Sequence, residues 1–83
     1  MKGKRYAKGK EYKNNKVIYE GEFSYGERNG KGKEYDDNGN LIFEGEYLND
    51  KKWNGKEKVY DNDGNLKFEE EYLNGIKFQN KNN

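Results

Sequence analysis

Tyr19-Glu20-Gly21-Glu22-Phe23 returns as Phe43-Glu44-Gly45-Glu46-Tyr47 and again as Phe68-Glu69-Glu70-Glu71-Tyr72. Self-similarity at a fixed period of about 20–50 residues decides the architecture before any single residue does. The stretch between the copies recurs as well, as Lys8-Gly9-Lys10-Glu11-Tyr12, Lys31-Gly32-Lys33-Glu34-Tyr35 and a weaker Lys56-Glu57-Lys58-Val59-Tyr60. The 83 residues therefore divide into units near 3–18 (partial), 19–42, 43–67 and 68–78 (partial), with 79–83 expected as a disordered tail of one single domain.

Within each half-unit apolar and polar residues alternate, which marks a strand. Leu41, Phe43, Gly45 and Tyr47 share one face, Ile42, Glu44, Glu46 and Leu48 the other, and Leu66, Phe68, Glu70 and Tyr72 repeat the first pattern. Asp37-Asn38-Gly39-Asn40 and Asn62-Asp63-Gly64-Asn65 stand between strands, and Asn-Gly and Asp-Gly are strong hairpin signals because both turn positions tolerate positive φ. Tyr25-Gly26, Asn49-Asp50 and Asn74-Gly75 are turn-forming pairs at the other junctions. The reading is all-β: an antiparallel meander of about three repeated hairpins, with strands near 8–13, 17–24, 31–36, 41–48, 56–61 and 66–73 and a short one at 76–79.

A chain this short buries only about 60% of its unfolded surface. Apolar residues are 29% of the total, and eight Tyr, four Phe and Trp53 supply most of what a core can use. Each ring buries roughly 150–250 Å², enough for aromatics to hold a thin sheet together. Balanced charge and abundant aromatics separate the chain from disordered sequences of similar polarity. No apolar run exceeds three residues, as at Leu41-Ile42-Phe43, so a membrane-spanning helix and a signal-peptide core are both missing from the sequence and a soluble, cytoplasmic protein is expected.

Charge follows the repeat. Lysine-rich strands lie beside glutamate-rich ones in a meander, so cross-strand Lys–Glu pairs are expected to cover one face at about 0.2–1 kcal/mol each. By segment, residues 1–16 carry a net +6, residues 17–50 a net −6 and residues 51–83 a net +1, which makes the molecule electrically polar.

The stretch from Tyr19 through Gly21, Phe23, Gly26 and Gly30 to Gly32 resembles a full MORN repeat, whose pattern is aromatic-x-Gly-x-aromatic, then Gly, then Gly-x-Gly. The later units depart from it: Asp50 stands at the place of Gly26, Glu57 at that of Gly32, Glu70 at that of Gly21 and Gly45, and one residue is added around Trp53. These units are similar to the degenerate MORN-like repeats common in bacterial proteins, some of them antitoxin-like. The resemblance, over about residues 3–78, implies an elongated, curved sheet of hairpins that serves protein assembly or, in some members, touches lipid. Glycine at Gly21 and Gly45 suits both the curvature and a ring lying across bare backbone.

Catalysis has little to work with. The chain lacks His, Cys and Thr, and Ser24 is its only serine, so nucleophilic triads and thiolate or imidazole metal sites are excluded. Glu20 with Glu22, Glu44 with Glu46 and Glu69 with Glu71 stand about 7 Å apart on a strand face, a glycosidase-like separation, but opposite lysine strands they read as a solvated ladder. Asp36, Asp37, Asn38 and Asn40, with Asp61, Asn62 and Asp63, lack the spacing and terminal Glu of a calcium loop and read as turns. No enzyme, cofactor or metal is expected.

The leading expectation is a protein-binding module, in its sharpest form a small inhibitor of a toxin or defence enzyme of bacterial, phage or mobile-element type. A self-associating structural scaffold is one alternative. Another is nucleic-acid or anionic-lipid binding through the basic segment Lys2, Lys4, Arg5, Lys8, Lys10, Lys13 and Lys16, interleaved with Tyr6 and Tyr12. The bland explanation of the same lysines is an edge strand that discourages sheet-to-sheet pairing. Trp53, outside the repeat pattern, leads the contact candidates or else covers an open end of the core; Tyr35, Tyr60, Arg28, Lys31 and Lys33 follow.

Overall fold

The computed structural model describes residues 7–79. They form seven strands, β1 (Ala7–Lys13), β2 (Lys16–Ser24), β3 (Glu27–Tyr35), β4 (Leu41–Leu48), β5 (Lys51–Tyr60), β6 (Leu66–Leu73) and β7 (Ile76–Gln79). The sheet order is the chain order and every neighbouring pair is antiparallel, as a hairpin meander requires. The extents of 49 × 31 × 11 Å describe a single open layer. No helix among the described residues is long and apolar enough to cross a membrane. Of the sequence expectations, the first six residues of the basic segment and 80–83 of the tail lie outside the described residues.

Strands β3 and β5 begin earlier than alternation suggests, because Arg28-Asn29-Gly30 and Trp53-Asn54-Gly55 break the period while staying in the sheet. Phe23 pairs with Arg28 and Gly21 with Gly32, so three β3 residues face Glu22 alone. Glu22 Oε1 takes up the displaced Lys31 N–H at 2.7 Å. In β5, Tyr47 pairs with Lys52 and Glu46 with Asn54, which leaves Trp53 as the extra residue. Such bulges keep both strands hydrogen-bonded on either side of a local misfit.

Four junctions are two-residue turns with positive φ at both positions, Asn14-Asn15, Tyr25-Gly26, Asn49-Asp50 and Asn74-Gly75. The Asn38-Gly39 and Asp63-Gly64 tips are not of this kind. There only the glycine is left-handed, Gly39 N–H returns to the Asp36 carbonyl at 3.0 Å, and Asp36 Oδ1 accepts Asn38 N–H and Asn40 N–H, both at 2.9 Å. Asp61 closes its loop in the same way. An aspartate at the loop mouth thus substitutes its carboxylate for the second left-handed residue.

The core is one aromatic chain on one face of the sheet. Tyr19 and Phe43 are fully buried, Tyr47 nearly so, and Phe23 and Tyr72 pack at the ends. Consecutive rings from Phe23 through Tyr19, Tyr47 and Phe43 to Tyr72 meet edge to face, with centroids 5.1–5.8 Å apart. That geometry sets positive ring edges against negative faces and adds to area burial about 0.5–1.5 kcal/mol per pair. Gly21, Gly32, Gly45 and Gly55 make room for it: a Cβ on Gly32 would meet the Tyr19 ring, and one on Gly45 would meet the Asn54 carbonyl.

Candidate binding surface

The aromatic face carries a row of cations. The Arg28 guanidinium lies over Tyr19 and Tyr47, 4.4 and 5.5 Å from their centroids; Lys52 Nζ lies 5.3 Å from Phe43 and 5.8 Å from Tyr72; Lys77 Nζ lies 5.9 Å from Tyr72. Each is held by carboxylates. Arg28 reaches Glu11 at 2.6 Å and Glu34 at 3.4 Å, Lys52 reaches Glu57 at 2.9 Å, and Lys77 reaches Glu70 at 3.0 Å with Glu57 at 3.8 Å. Glu57 and Glu70 are direct cross-strand neighbours, so the two lysines separate like charges that would otherwise repel. Glu57 Oε1 has no hydrogen-bond partner, and the long Lys77 contact serves it only through charge.

Ionisation follows from this packing. Burial pushes the Tyr19 hydroxyl up to about 12 against the opposing field of Arg28, and burial with a hydrogen bond to Glu34 raises Tyr47 further. Burial works against the charge on Arg28, and the hydrogen bond and field of Glu11 with Glu34 outweigh it. This face is filled structure.

The opposite face presents two parallel rows of charge. Lys10, Glu20, Lys33, Glu44, Lys56 and Glu71 stand in unbroken cross-strand register. Lys8 pairs with Glu22 and Lys31 with Glu46 in the second row. Between the rows runs the line Gly9, Gly21, Gly32, Gly45, each opposite the next. The result is a trough of about 650 Å³ with a floor of bare glycine backbone and walls of lysine and glutamate. Lys8, Lys10, Lys31, Lys33, Glu44 and Glu46 are exposed. Among the described residues none of these lysines closes an ion pair, so their charges stand in solvent within the ladder.

The sequence candidates are thus distributed over both faces and two ends. Lys31 and Lys33 line the trough with Lys8 and Lys10. Arg28 is on the aromatic face. Tyr35 lines a second hollow with Lys16 and Asp37, where Lys16 Nζ donates to the Asp37 carbonyl at 3.0 Å; Lys13 pairs with Lys16 at that hairpin end. Tyr60 donates its hydroxyl to the Leu41 carbonyl at 2.8 Å. Trp53 is half-buried against the β6–β7 turn: a Cβ on Gly75 would fall 2.9 Å from its ring, and its carbonyl accepts Gly75 N–H at 2.9 Å. Lys2, Lys4 and Arg5 lie outside the described residues. The cation row escaped notice in the sequence, though Arg28, Lys52 and Lys77 recur near the repeat spacing, which is the signal that reveals them.

Chemically the surface suits recognition. Glu69 is held below the usual carboxylate range by its hydrogen bond from Lys58, whereas a general acid requires the reverse shift. At Asp36 burial raises the pKa, and hydrogen bonds from Asn40, Asn38 and Gly39 outweigh it. Its oxygens serve the loop itself. No group of acidic residues capable of holding a metal occurs among the described residues.

A single-layer meander of glycine-bent hairpins with an aromatic face and a charged face defines a β-hairpin repeat protein. The family model of the MORN repeat matches residues 19–41, and that of the MORN repeat variant matches residues 53–74. The two matches together cover just over half of the chain, which belongs to the MORN repeat family, a generally non-catalytic family of interaction modules. No curated protein matches the chain, and no solved structure does.

Proposed function

We propose that this protein is a non-catalytic protein-binding module whose contact surface is the lysine–glutamate trough. The observation that carries the reading is the register itself. Alternating charges along two rows, over a floor without side chains, present an ordered pattern that only a partner of complementary pattern satisfies. Nucleic acid and anionic lipid are uniform in sign and fit poorly, since each lysine of the long row stands beside a glutamate. Lys31 and Lys33 act with Glu44 and Glu46 at the centre of the contact, and Tyr35 extends it at one end.

The test is affinity capture by the tagged protein from its native host after nuclease treatment. A stoichiometric protein is expected, and it should be lost when Lys10, Glu20, Lys33, Glu44, Lys56 and Glu71 are all reversed in sign. That reversal keeps every pairing within the row complementary, so circular dichroism should be unchanged. Capture of nucleic acid alone, or of nothing but the bait, would sink the reading. A captured enzyme silenced on binding would specify the inhibitor role.

A further inference from the structure

We propose that the outer edge of β1, whose Lys8 and Lys10 also border the trough, is a second docking site, which takes up an extended acidic strand of a partner protein by β-sheet addition. This inference rests on the protein-binding reading and gives it a partner chemistry. Lys8-Gly9-Lys10-Glu11-Tyr12 of β1 repeats Lys31-Gly32-Lys33-Glu34-Tyr35 of β3 residue for residue. Both strands meet β2 in one register: Gly9 and Gly32 oppose Gly21, Lys10 and Lys33 oppose Glu20, and Glu11 and Glu34 oppose Tyr19. They differ in one respect. Strand β3 lies between two glutamate strands, β2 and β4, whereas β1 ends the sheet among the described residues.

Because β1 and β3 run the same way and show the same residues to the aromatic face, the outer edge of β1 corresponds to the edge that β3 turns toward β2. That edge shows what it takes. It carries Tyr19 opposite Glu34, Glu20 opposite Lys33 and Gly21 opposite Gly32, and its Lys31 N–H donates to the Glu22 carboxylate at 2.7 Å. In β1 the matching N–H belongs to Lys8, and the alternation of an antiparallel ladder aims the backbone groups of Lys10 and Tyr12 outward with it. The occupant is therefore an aromatic-Glu-Gly-Glu-aromatic strand, with its glycine opposite Gly9, its first glutamate opposite Lys10 and its second glutamate accepting from Lys8.

Charge separates this occupant from a second copy of the chain. Among the described residues β1 and β7 end the sheet; Lys8 and Lys10 of β1 close no ion pair, whereas Lys77 of β7 is tied to Glu70 and Glu57 on the aromatic face. The glutamate strands β2, β4 and β6 are each paired on both sides. A second copy therefore offers β1 no free glutamate strand, and Lys8 and Lys10 repel another β1 edge and select an acidic strand.

The probe is a capped peptide of residues 17–24, Val-Ile-Tyr-Glu-Gly-Glu-Phe-Ser, added to the isotope-labelled full chain. Shifts and slowed hydrogen exchange are expected at the amides of Lys8, Lys10 and Tyr12. A peptide carrying Glu20→Lys and Glu22→Lys should bind at least about tenfold more weakly. The proposal is overturned by unmoved β1 amides, by equal binding of the two peptides, or by concentration-dependent protection of β1 without peptide. Partner capture that survives any of these leaves the binding-module reading standing, and its loss would remove that reading whatever the peptide does.

Discussion

The Arg28 guanidinium carbon lies 4.4 Å from the centre of the Tyr19 ring, while Arg28 Nε bonds Glu11 at 2.6 Å and Nη1 approaches Glu34 at 3.4 Å. One side chain therefore ties β1, β2 and β3 together across the aromatic face. Arg28→Ala removes the ring contact and leaves two carboxylates without their cation, so stability should fall by roughly 1–3 kcal/mol. Arg28→Lys should recover only part of this, because an ammonium cannot reproduce the fork that reaches both glutamates. Urea denaturation of the three proteins measures it, and an unchanged midpoint for Arg28→Ala would contradict the assignment.

Alkaline pH should unfold the protein through its buried tyrosines. Tyr19 ionises at about 12 in the fold against an ordinary value of about 10, and Tyr47 is shifted the same way. With the folded pKa raised, the unfolded chain loses its proton first. The contribution to stability is then complete below pH of about 10 and declines as pH rises toward 12. Tyrosinate absorbance should show Tyr19 and Tyr47 ionising late, together with loss of the β-sheet signal. Ionisation of Tyr19 and Tyr47 at their ordinary value of about 10 while the sheet persists would refute this.

The repeat was legible because it recurs in register: Phe43 and Tyr47 are the buried pair that alternation marks, and the lysine–glutamate ladder lies where strand order puts it. What escaped is whatever depends on local misfit. Trp53 interrupts the alternation of β5 without ending the strand, and its hydrogen bonds are made good by neighbours far away in the sequence. Glu57 stands at a glycine place and survives there because Lys52 of its own strand and Lys77, two strands away on β7, converge on it. The repeat spacing marks Lys52 and Lys77 as equivalent, but nothing in one dimension shows that both meet Glu57. The two wider loops are hairpin tips where the sequence places them, and only their turn geometry differs: at Asn38-Gly39 the dipeptide favours positive φ at both positions, whereas the Asp36 carboxylate stabilises a turn in which the glycine alone is left-handed.

Glycine in the line of the trough floor is required by the close approach of strands. A Cβ on Gly45 would lie 2.6 Å from Gly55 Cα, both on rigid backbone, and would also run into the Asn54 carbonyl. At Gly9 the nearest obstacle is the Phe23 ring at 3.2 Å, which has room to turn. Gly45→Ala should therefore cost at least about 1–3 kcal/mol, and Gly9→Ala well under 1 kcal/mol. Thermal melts of the two variants side by side decide it; equal losses would mean the strands relax freely at Gly45.

Trp53 holds the last hairpin. Its ring lies against Gly75 and its carbonyl receives the Gly75 N–H, so the β6–β7 turn is docked onto β5. Trp53→Ala should lower the melting temperature by roughly 5–10 °C and speed amide exchange at Ile76, Lys77 and Phe78. Loss of partner capture with an unchanged melting temperature would instead make the ring a contact residue.

Tyr25 occupies a place that the corresponding turns give to asparagine. Asn14, Asn49 and Asn74 are the first residues of the three other two-residue turns, with φ of 51–52°, and Tyr25 adopts φ 52° with 83% of its surface exposed. A left-handed conformation costs a branched or bulky L-residue roughly 1–2 kcal/mol, and asparagine tolerates it through its own local hydrogen bonds. The exposed ring recovers none of that cost by burial. Tyr25→Asn should accordingly raise stability by roughly 0.5–1 kcal/mol, seen as a later urea midpoint with an unchanged slope. Destabilisation would show that the ring packs in solution against a neighbour and that the strain is offset within the molecule. A gain in stability accompanied by weaker partner capture would place Tyr25 at the contact, where strain is retained for recognition.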